Sequence, residues 1–380
     1  MIPDPLDTRI GHIGKIEAPV GRRRGSRLAL GLSPSPVPSL MLLPLGVALG
    51  PHGIGFLTPT VLSYLDPAVP VAIATLGAFV GLGLDWRRPH EKRLLAAASV
   101  EAGLTLTMVV AGVWLTLAFA NLDTRLDAWQ FALLLGICAA CSSTTAIERP
   151  NEPGVIATRI GDLDDVLTII AGGIALTWIH TGDARTTASL FAQSAGIALI
   201  LALAGWLLVS RAASDIEQRV FVLGTLLLLA GSVEYLSLSA LVSGLIAGIF
   251  WKTAGGPARE RIDRDVRHVQ HPLVVLLLLT AGARVTGSGA LLVLVPVYLL
   301  SRIGGKVFGG WLAGRIAGHE RPVSVGFYLV SPGMIAVALA LNVLQASGPQ
   351  GGSVLLAVVI AGSIGSDLLS PLVHPREAVA

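Results

Sequence analysis

Residues 161–178 read GDLDDVLTIIAGGIALTW, which sets Asp162, Asp164 and Asp165 within four positions at the mouth of an apolar run. A carboxylate costs about 3 kcal/mol at the centre of a membrane helix, so ionisable residues there are rare and mostly functional. Whether this run lies in a membrane therefore decides both the fold and the meaning of the acids.

Composition answers the first question. Of 380 residues, 53% are hydrophobic and only 13% charged, with mean hydropathy +0.73, whereas typical soluble domains are about 25% charged. The chain reads as an all-α polytopic membrane protein. Its two cysteines, Cys138 and Cys141, share one apolar segment, which excludes a disulfide framework and a four-cysteine metal site. They read as small packing residues. The eight histidines are scattered without an HExxH spacing, so no cofactor is expected, and no metal beyond a transported ion. A net charge of +3 is too small to argue for nucleic acid. Neither a GxGxxG after a strand nor a GxxxxGK[ST] occurs, which removes a dinucleotide-binding domain and an ATP-driven motor. Any transport must therefore be driven by an ion gradient or be passive.

Apolar runs broken by Pro, Gly and charge mark about twelve transmembrane segments: 37–50, 67–84, 94–120, 129–147, 155–180, 188–210, 219–233, 236–252, 271–286, 289–317, 323–345 and 351–373. Residues 1–36 are polar and basic, with Arg22, Arg23, Arg24 and Arg27, and lack a clean apolar signal core. They read as a cytoplasmic tail. Lys and Arg concentrate in cytoplasmic loops. With the N-terminus inside, the cytoplasmic connections and C-terminus hold fifteen of them, including Arg87, Arg88, Arg211, Arg261 and Arg315, and the opposite side only Arg125, Arg185 and Arg284. Both termini are thus expected in the cytoplasm, with the protein in the inner (plasma) membrane. The transmembrane domain spans 37–373, with core helices at about 94–180 and 289–373, and 374–380 form a cytoplasmic C-terminus. The longest internal polar stretch, KTAGGPARERIDRDVRHVQH (252–271), reads as a basic linker between two halves.

Two segments carry breaks. GICAACSSTTAIERPNEPG (136–154) interrupts an apolar helix with Ser142, Ser143, Thr144 and Thr145 ahead of Pro150 and Pro153. GFYLVSPGMIAVALAL (326–341) places Pro332 and Gly333 in mid-segment. Proline removes a helix hydrogen bond and frees a carbonyl, and paired broken helices in two halves point to a transporter's site. The plainer reading is that the hydroxyls bond back to their own helix and Pro332 only kinks it. Seven segments separate the breaks, as an inverted repeat pairing segments three to five with ten to twelve requires.

That pairing sets the aspartates beside the first break. Asp164 and Asp165 diverge by about 100° around a helix, so one can face a cavity while the other faces a neighbouring helix. The alternative is a helix start at the interface. If the helix begins near Val155, the pair lies about 15 Å in, near the bilayer middle. Asp162 lies nearer the cytoplasmic end. A buried acidic pair needs a cationic neighbour, and SRIGGKVFGGWLAG (301–314) offers Arg302 and Lys306. Lys306 sits deeper in a glycine-rich helix where close packing is possible; Arg302 could fill the role instead, leaving Lys306 to snorkel. Glu101 and Glu234 are further buried-acid candidates, each read first as structural.

In this order the motifs resemble the monovalent cation:proton antiporters of the second cation:proton antiporter group, especially bacterial sodium/proton antiporters with an Asp-Asp ion site. PSLMLLPLGVALGPHGIGFL (38–57) and ATLGAFVGLGLDW (74–86) are similar to the family's opening segments. CSSTTAIERPNEPG and LVSPGMIAVALALNV are similar to its two broken helices, GDLDDVLTIIAGG to its aspartate helix and SRIGGKVFGGWLAGRIAG to its lysine-bearing helix. The resemblance covers about Pro38 to Val373. It implies two broken crossing helices within inverted repeats, Asp165 as the principal cation- and proton-binding carboxylate, and Asp164 paired with Lys306. It implies cation coordination around Ser143 and Thr144, and electrogenic exchange of Na⁺ (or Li⁺ or K⁺) for H⁺ by a homodimer in the lipid bilayer. The chain departs from the pattern in lacking a further N-terminal helix and in carrying Met334 where an acid often follows the second break. Other readings are a K⁺/H⁺ antiporter, a sodium-coupled organic anion symporter of the same architecture, a non-transporting relative and, remotely, an intramembrane aspartyl protease built on Gly161 and Asp162. The last lacks a partner aspartate on an adjacent segment.

Overall fold

The computed structural model describes residues 39–84, 91–120, 126–142, 152–235, 239–318 and 322–373. Within them the chain is helical, with no strand. In order the helices are α1 (Ser39–Leu49), α2 (Pro59–Leu65), α3 (Ala68–Gly83), α4 (Glu91–Ala120), α5 (Ala128–Ala140), α6 (Glu152–Thr181), α7 (Ala184–Arg211), α8 (Asp215–Tyr235), α9 (Ala240–Ala254), α10 (Gly256–Ala283), α11 (Leu291–Ala317), α12 (Pro322–Tyr328) and α13 (Met334–Val373). The last is interrupted at Gly348, whose φ of 72° breaks the helical path.

Local chemistry sets several of these ends. Thr58 caps α2 by accepting from the Val61 N–H at 3.3 Å, with Pro59 at the first helical position. Asp183 caps α7 through the Thr186 N–H at 2.9 Å. Gly318, in the left-handed conformation, closes α11 with Arg315 in the last turn, where a cation suits the negative end of the helix.

Five helices among the described residues are long and apolar enough to cross a membrane, or six if α2 and α3, bent by 47°, form one span. Three further apolar helices are shorter: α5, α9 and the Met334–Gly348 part of α13. This is a multi-pass membrane protein. Length and apolarity alone yield fewer than the twelve expected segments, since α6 and α8 carry charges along their length and α1 has only 11 residues.

One expectation is corrected. The polar stretch 252–271 is not a linker: α9 runs to Ala254 and α10 starts at Gly256, so 28 residues are continuous helix. Gly255 (φ 67°) turns the chain and Pro257 enters α10 in its first turn. Its charges pair along the helix, Arg267 with Asp263 at 3.1 Å, while Asp265 is buried and accepts from Gln218 of α8 at 2.5 Å.

Two glycine-lined helix pairs organise the packing. α3 lies against α9 through Gly77, Gly81, Gly244 and Gly248, each facing the partner's backbone with no room for a side chain. α4 lies against α11 in the same way. A Cβ at Gly305 would come within 2.7 Å of Thr105 Cα, and one at Gly309 within 3.1 Å of the Glu101 carbonyl oxygen. Small residues allow such close approach where both helices sit in lipid. Gly310, next along α11, meets Gly326 of α12, so α11 is wedged between α4 and α12. Beside this wedge lie α5, α6 and α13.

Candidate functional site

Helix α6 places the aspartates. Asp164 is twelve residues beyond Glu152, about 18 Å along the axis of a helix about 45 Å long. The pair thus lies in mid-helix, not at its start. Asp162 is set apart from the other two: its side chain is 39% exposed and pairs with Arg159, one turn earlier, at 3.5 Å.

Asp164 is fully buried, and its Oδ2 accepts from the Ser142 hydroxyl at 2.7 Å and from Lys306 Nζ at 3.2 Å. Asp165 is buried as well, and the backbone N–H of Ser142 donates to its carboxylate. One serine therefore serves both acids. It can do so because α5 ends at Ala140 and the chain passes into extended backbone at Cys141 (φ −67°, ψ 145°), which turns the next N–H out of the helix ladder. Oδ1 of each aspartate is buried without a hydrogen-bond partner. Burying a polar oxygen unpaired is costly, and either atom has the chemistry to accept a proton or a cation.

Lys306, also fully buried, faces more acceptors than its three protons can serve. Besides Asp164 they are Glu101 Oε1 and Oε2 at 3.0 and 3.2 Å, Ser142 Oγ at 2.7 Å and the Ala140 carbonyl at 2.5 Å. Glu101 is fully buried too, and accepts from Thr105, one turn along α4, at 3.0 Å. Among the described residues no three acidic, His or Cys side chains converge as a metal site; the carboxyls turn to the ammonium instead.

Arg302 precedes Lys306 by one helical turn and is buried as deeply. It bonds carbonyls, not carboxylates: Cys141 at 2.8 Å, just past the end of α5, and Val330, just past the end of α12. Both are the negative ends of helices, where a cation is favourable. Residues 329–333, including Pro332 and Gly333, are non-helical and interrupt the chain between α12 and α13. The two interruptions therefore meet at one guanidinium. Ser331, within the second, donates to Asp367 of α13 at 2.7 Å, and Arg302 reaches Ser366 at 3.4 Å.

The structure thus brings together Ser142, Asp164, Asp165, Lys306 and Glu101, with Arg302 and the Pro332–Gly333 break adjoining. Asp162 stays outside the group. Ser143 and Thr144 lie outside the described residues, as does the side chain of Glu234. Thr105, Ser366 and Asp367 were not singled out from the sequence; the i,i+4 spacing of Glu101 and Thr105 was the available signal for the first.

The fold as a whole has a solved counterpart. A sodium/proton antiporter from Methanocaldococcus jannaschii, solved at pH 8, superposes with TM-score 0.61, covering 88% of this chain and 90% of its own, at 14% identity. The fold is that of a sodium/proton antiporter. No sequence-family model matches the chain, and no curated protein sequence does. Within the antiporter fold, a cavity of about 640 Å³ opens among α1, α2, α10 and α13, lined by His52, Asp66, Arg284, Asn342 and Gln345. It includes none of the site carboxylates. It adjoins the far end of α6, where His180 Nε2 lies 3.1 Å from the Ala346 carbonyl.

Proposed function

We propose that this chain is a secondary active transporter that exchanges a monovalent cation, Na⁺ before Li⁺ or K⁺, for protons across the inner membrane. The observation that carries the reading is the adjacent buried pair, Asp164 and Asp165, each with one unpartnered oxygen, set beside a buried ammonium in an antiporter fold. Three buried carboxyls, Glu101, Asp164 and Asp165, stand near one ammonium. Arg302 is engaged by carbonyls. The excess negative charge calls for either a proton or a cation, and the two compete for the same oxygens. Asp165 is the principal exchanging group, Asp164 alternates between Lys306 and the transported species, and Ser142 orients both. Helix-end carbonyls and hydroxyls around Ser142 complete the cation's oxygen shell.

Alternating access follows if α4–α6 and α11–α13, as paired inverted repeats, rock against the remaining helices. In a twelve-span topology with both termini cytoplasmic, the cavity at the far end of α6 is the outer vestibule. A homodimer supplies a fixed frame for the motion.

Purified protein in liposomes tests this, with an imposed pH gradient, an internal pH dye, and Na⁺, Li⁺ and K⁺ added in turn. Cation-dependent proton movement is expected from the wild type, and its reduction to background in Asp165→Asn. Wild-type rates in Asp165→Asn would refute the assignment.

A further inference from the structure

Lys306 has two carboxylate partners, and only one of them lies on the aspartate helix. Glu101, on α4, holds Nζ with both oxygens, at 3.0 and 3.2 Å, whereas Asp164 offers one oxygen at 3.2 Å. Glu101 is the better fixed of the two. Its Oε1 takes a further hydrogen bond from Thr105, and its backbone is pressed against Gly309, with Thr105 against Gly305. Asp164, by contrast, keeps one oxygen unpartnered.

Among the described residues, few other charged or titratable groups lie near this pair. On α11 the cation one turn from Lys306 is Arg302, spent on the Cys141 and Val330 carbonyls, with Tyr298 one turn before it. From α5 come the thiols of Cys138 and Cys141, and α6 supplies Asp164 and Asp165, with Asp162 and Arg159 farther along toward its start. Beside Arg302, α13 presents Ser366 and Asp367.

We infer that Glu101 is the standing counter-ion of Lys306, which frees Asp164 to let go of the lysine and take up a proton while the ammonium stays paired. Resting on the exchange reading above, this gives Glu101 a role that neither aspartate can fill. A buried ammonium stripped of its only partner is strongly unfavourable. If Asp164 were that only partner, it would be locked as a carboxylate. With Glu101 in place, Asp164 and Asp165 each carry a proton in one direction, Lys306 keeps its own throughout, and two protons cross per monovalent cation. One net charge then moves per cycle.

The decisive measurement is the reversal potential of exchange in liposomes of set membrane voltage. Wild type is expected to balance at two protons per cation. Glu101→Gln is expected to retain exchange but fall to one, losing its response to voltage, because Asp164 must then stay with Lys306. An unchanged charge per cation in Glu101→Gln, or a voltage-insensitive wild type, would overturn the inference. A second measurement needs no variant to fold. A protonated carboxyl gives its proton to a nitrogen of an apolar carbodiimide and adds through oxygen to the central carbon, so peptide mapping of labelled wild type at acidic pH should find adducts on Asp164 and Asp165 and none on Glu101. An adduct on Glu101 refutes its standing charge. This labelling reads Glu101 even if the wild type moves no cation, the outcome that would sink the exchange reading instead.

Discussion

Two helix pairs in this molecule are built by the same device and put to different uses. The α3/α9 seam and the α4/α11 seam both rely on glycines at helical spacing to bring backbones into contact. Across α3/α9 the buried polar groups are uncharged, such as Thr75, whose hydroxyl bonds back to the Val71 carbonyl at 2.7 Å. Across α4/α11 lie Glu101, Arg302 and Lys306, all fully buried. Close packing is thus not itself a mark of function. At one seam it yields dispersion contacts, and at the other it buries an ion pair away from solvent.

The largest difference between the seams should appear when the charge is removed. Lys306→Met leaves Glu101 and Asp164 buried without their cation, which costs about 3–5 kcal/mol. The loss should be visible as a lower unfolding temperature in detergent that recovers as pH falls and the carboxylates neutralise. A volume-conserving change at the quiet seam, Leu245→Met, should stay below about 1.5 kcal/mol at any pH. Equal losses would mean the charges at α4/α11 contribute nothing specific.

Next in size are the glycines. Gly244→Ala and Gly305→Ala each force backbones apart, at roughly 1–3 kcal/mol of overpacking. Only Gly305→Ala should also reduce exchange, since it moves Glu101 away from Lys306; parallel melting and transport assays on both variants separate the effects. Ser142→Ala removes a hydrogen bond to a charged group, about 1.5–3 kcal/mol, and should both lower the melting temperature and slow exchange about tenfold, the rate change that about 1.4 kcal/mol gives.

The smallest effect is expected far from either seam. Asp183, exposed at the start of α7, has its carboxyl held below the ordinary aspartate value by the Thr186 N–H and hydroxyl. Its depressed value means the capping contribution is complete above the unfolded pKa and fades as pH falls through the folded one. Asp183→Ala should therefore lower the melting temperature slightly at neutral pH, and the gap should close on acidification.

Much of the site was legible because its residues violate their surroundings. An aspartate pair in an apolar run and a lysine among glycines stand out against composition, and Pro332–Gly333 announces a break wherever it falls. Glu101 was harder. It lies only seven residues into the hydrophobic segment that starts at 94, which suggests a helix end, but α4 begins at Glu91 and puts it about 15 Å along the axis. Its partner comes from 205 positions away, a pairing that no local pattern encodes. The same blindness hid the first half of α10. Hydropathy asks whether a stretch prefers lipid, not whether it is helical, and 256–271 is helical while charged. Gly255, Pro257 and the four-residue spacing of Asp263 and Arg267 were the signals that could have found it.

Arg302 carries one more implication, a mechanical one. A planar guanidinium tied to the Cys141 carbonyl on one side and the Val330 carbonyl on the other acts as a short strut between the end of α5 and the end of α12. Sliding one helix end past the other would break both bonds in a buried interior, so the strut resists relative movement of the two ends. Compliance then belongs at the perimeter, where Asn342 of α13 meets Ser239 at the entry to α9 at 2.9 Å and Gly173 of α6 rides against Val242. Those are one hydrogen bond and one smooth apolar contact, both readily broken and remade.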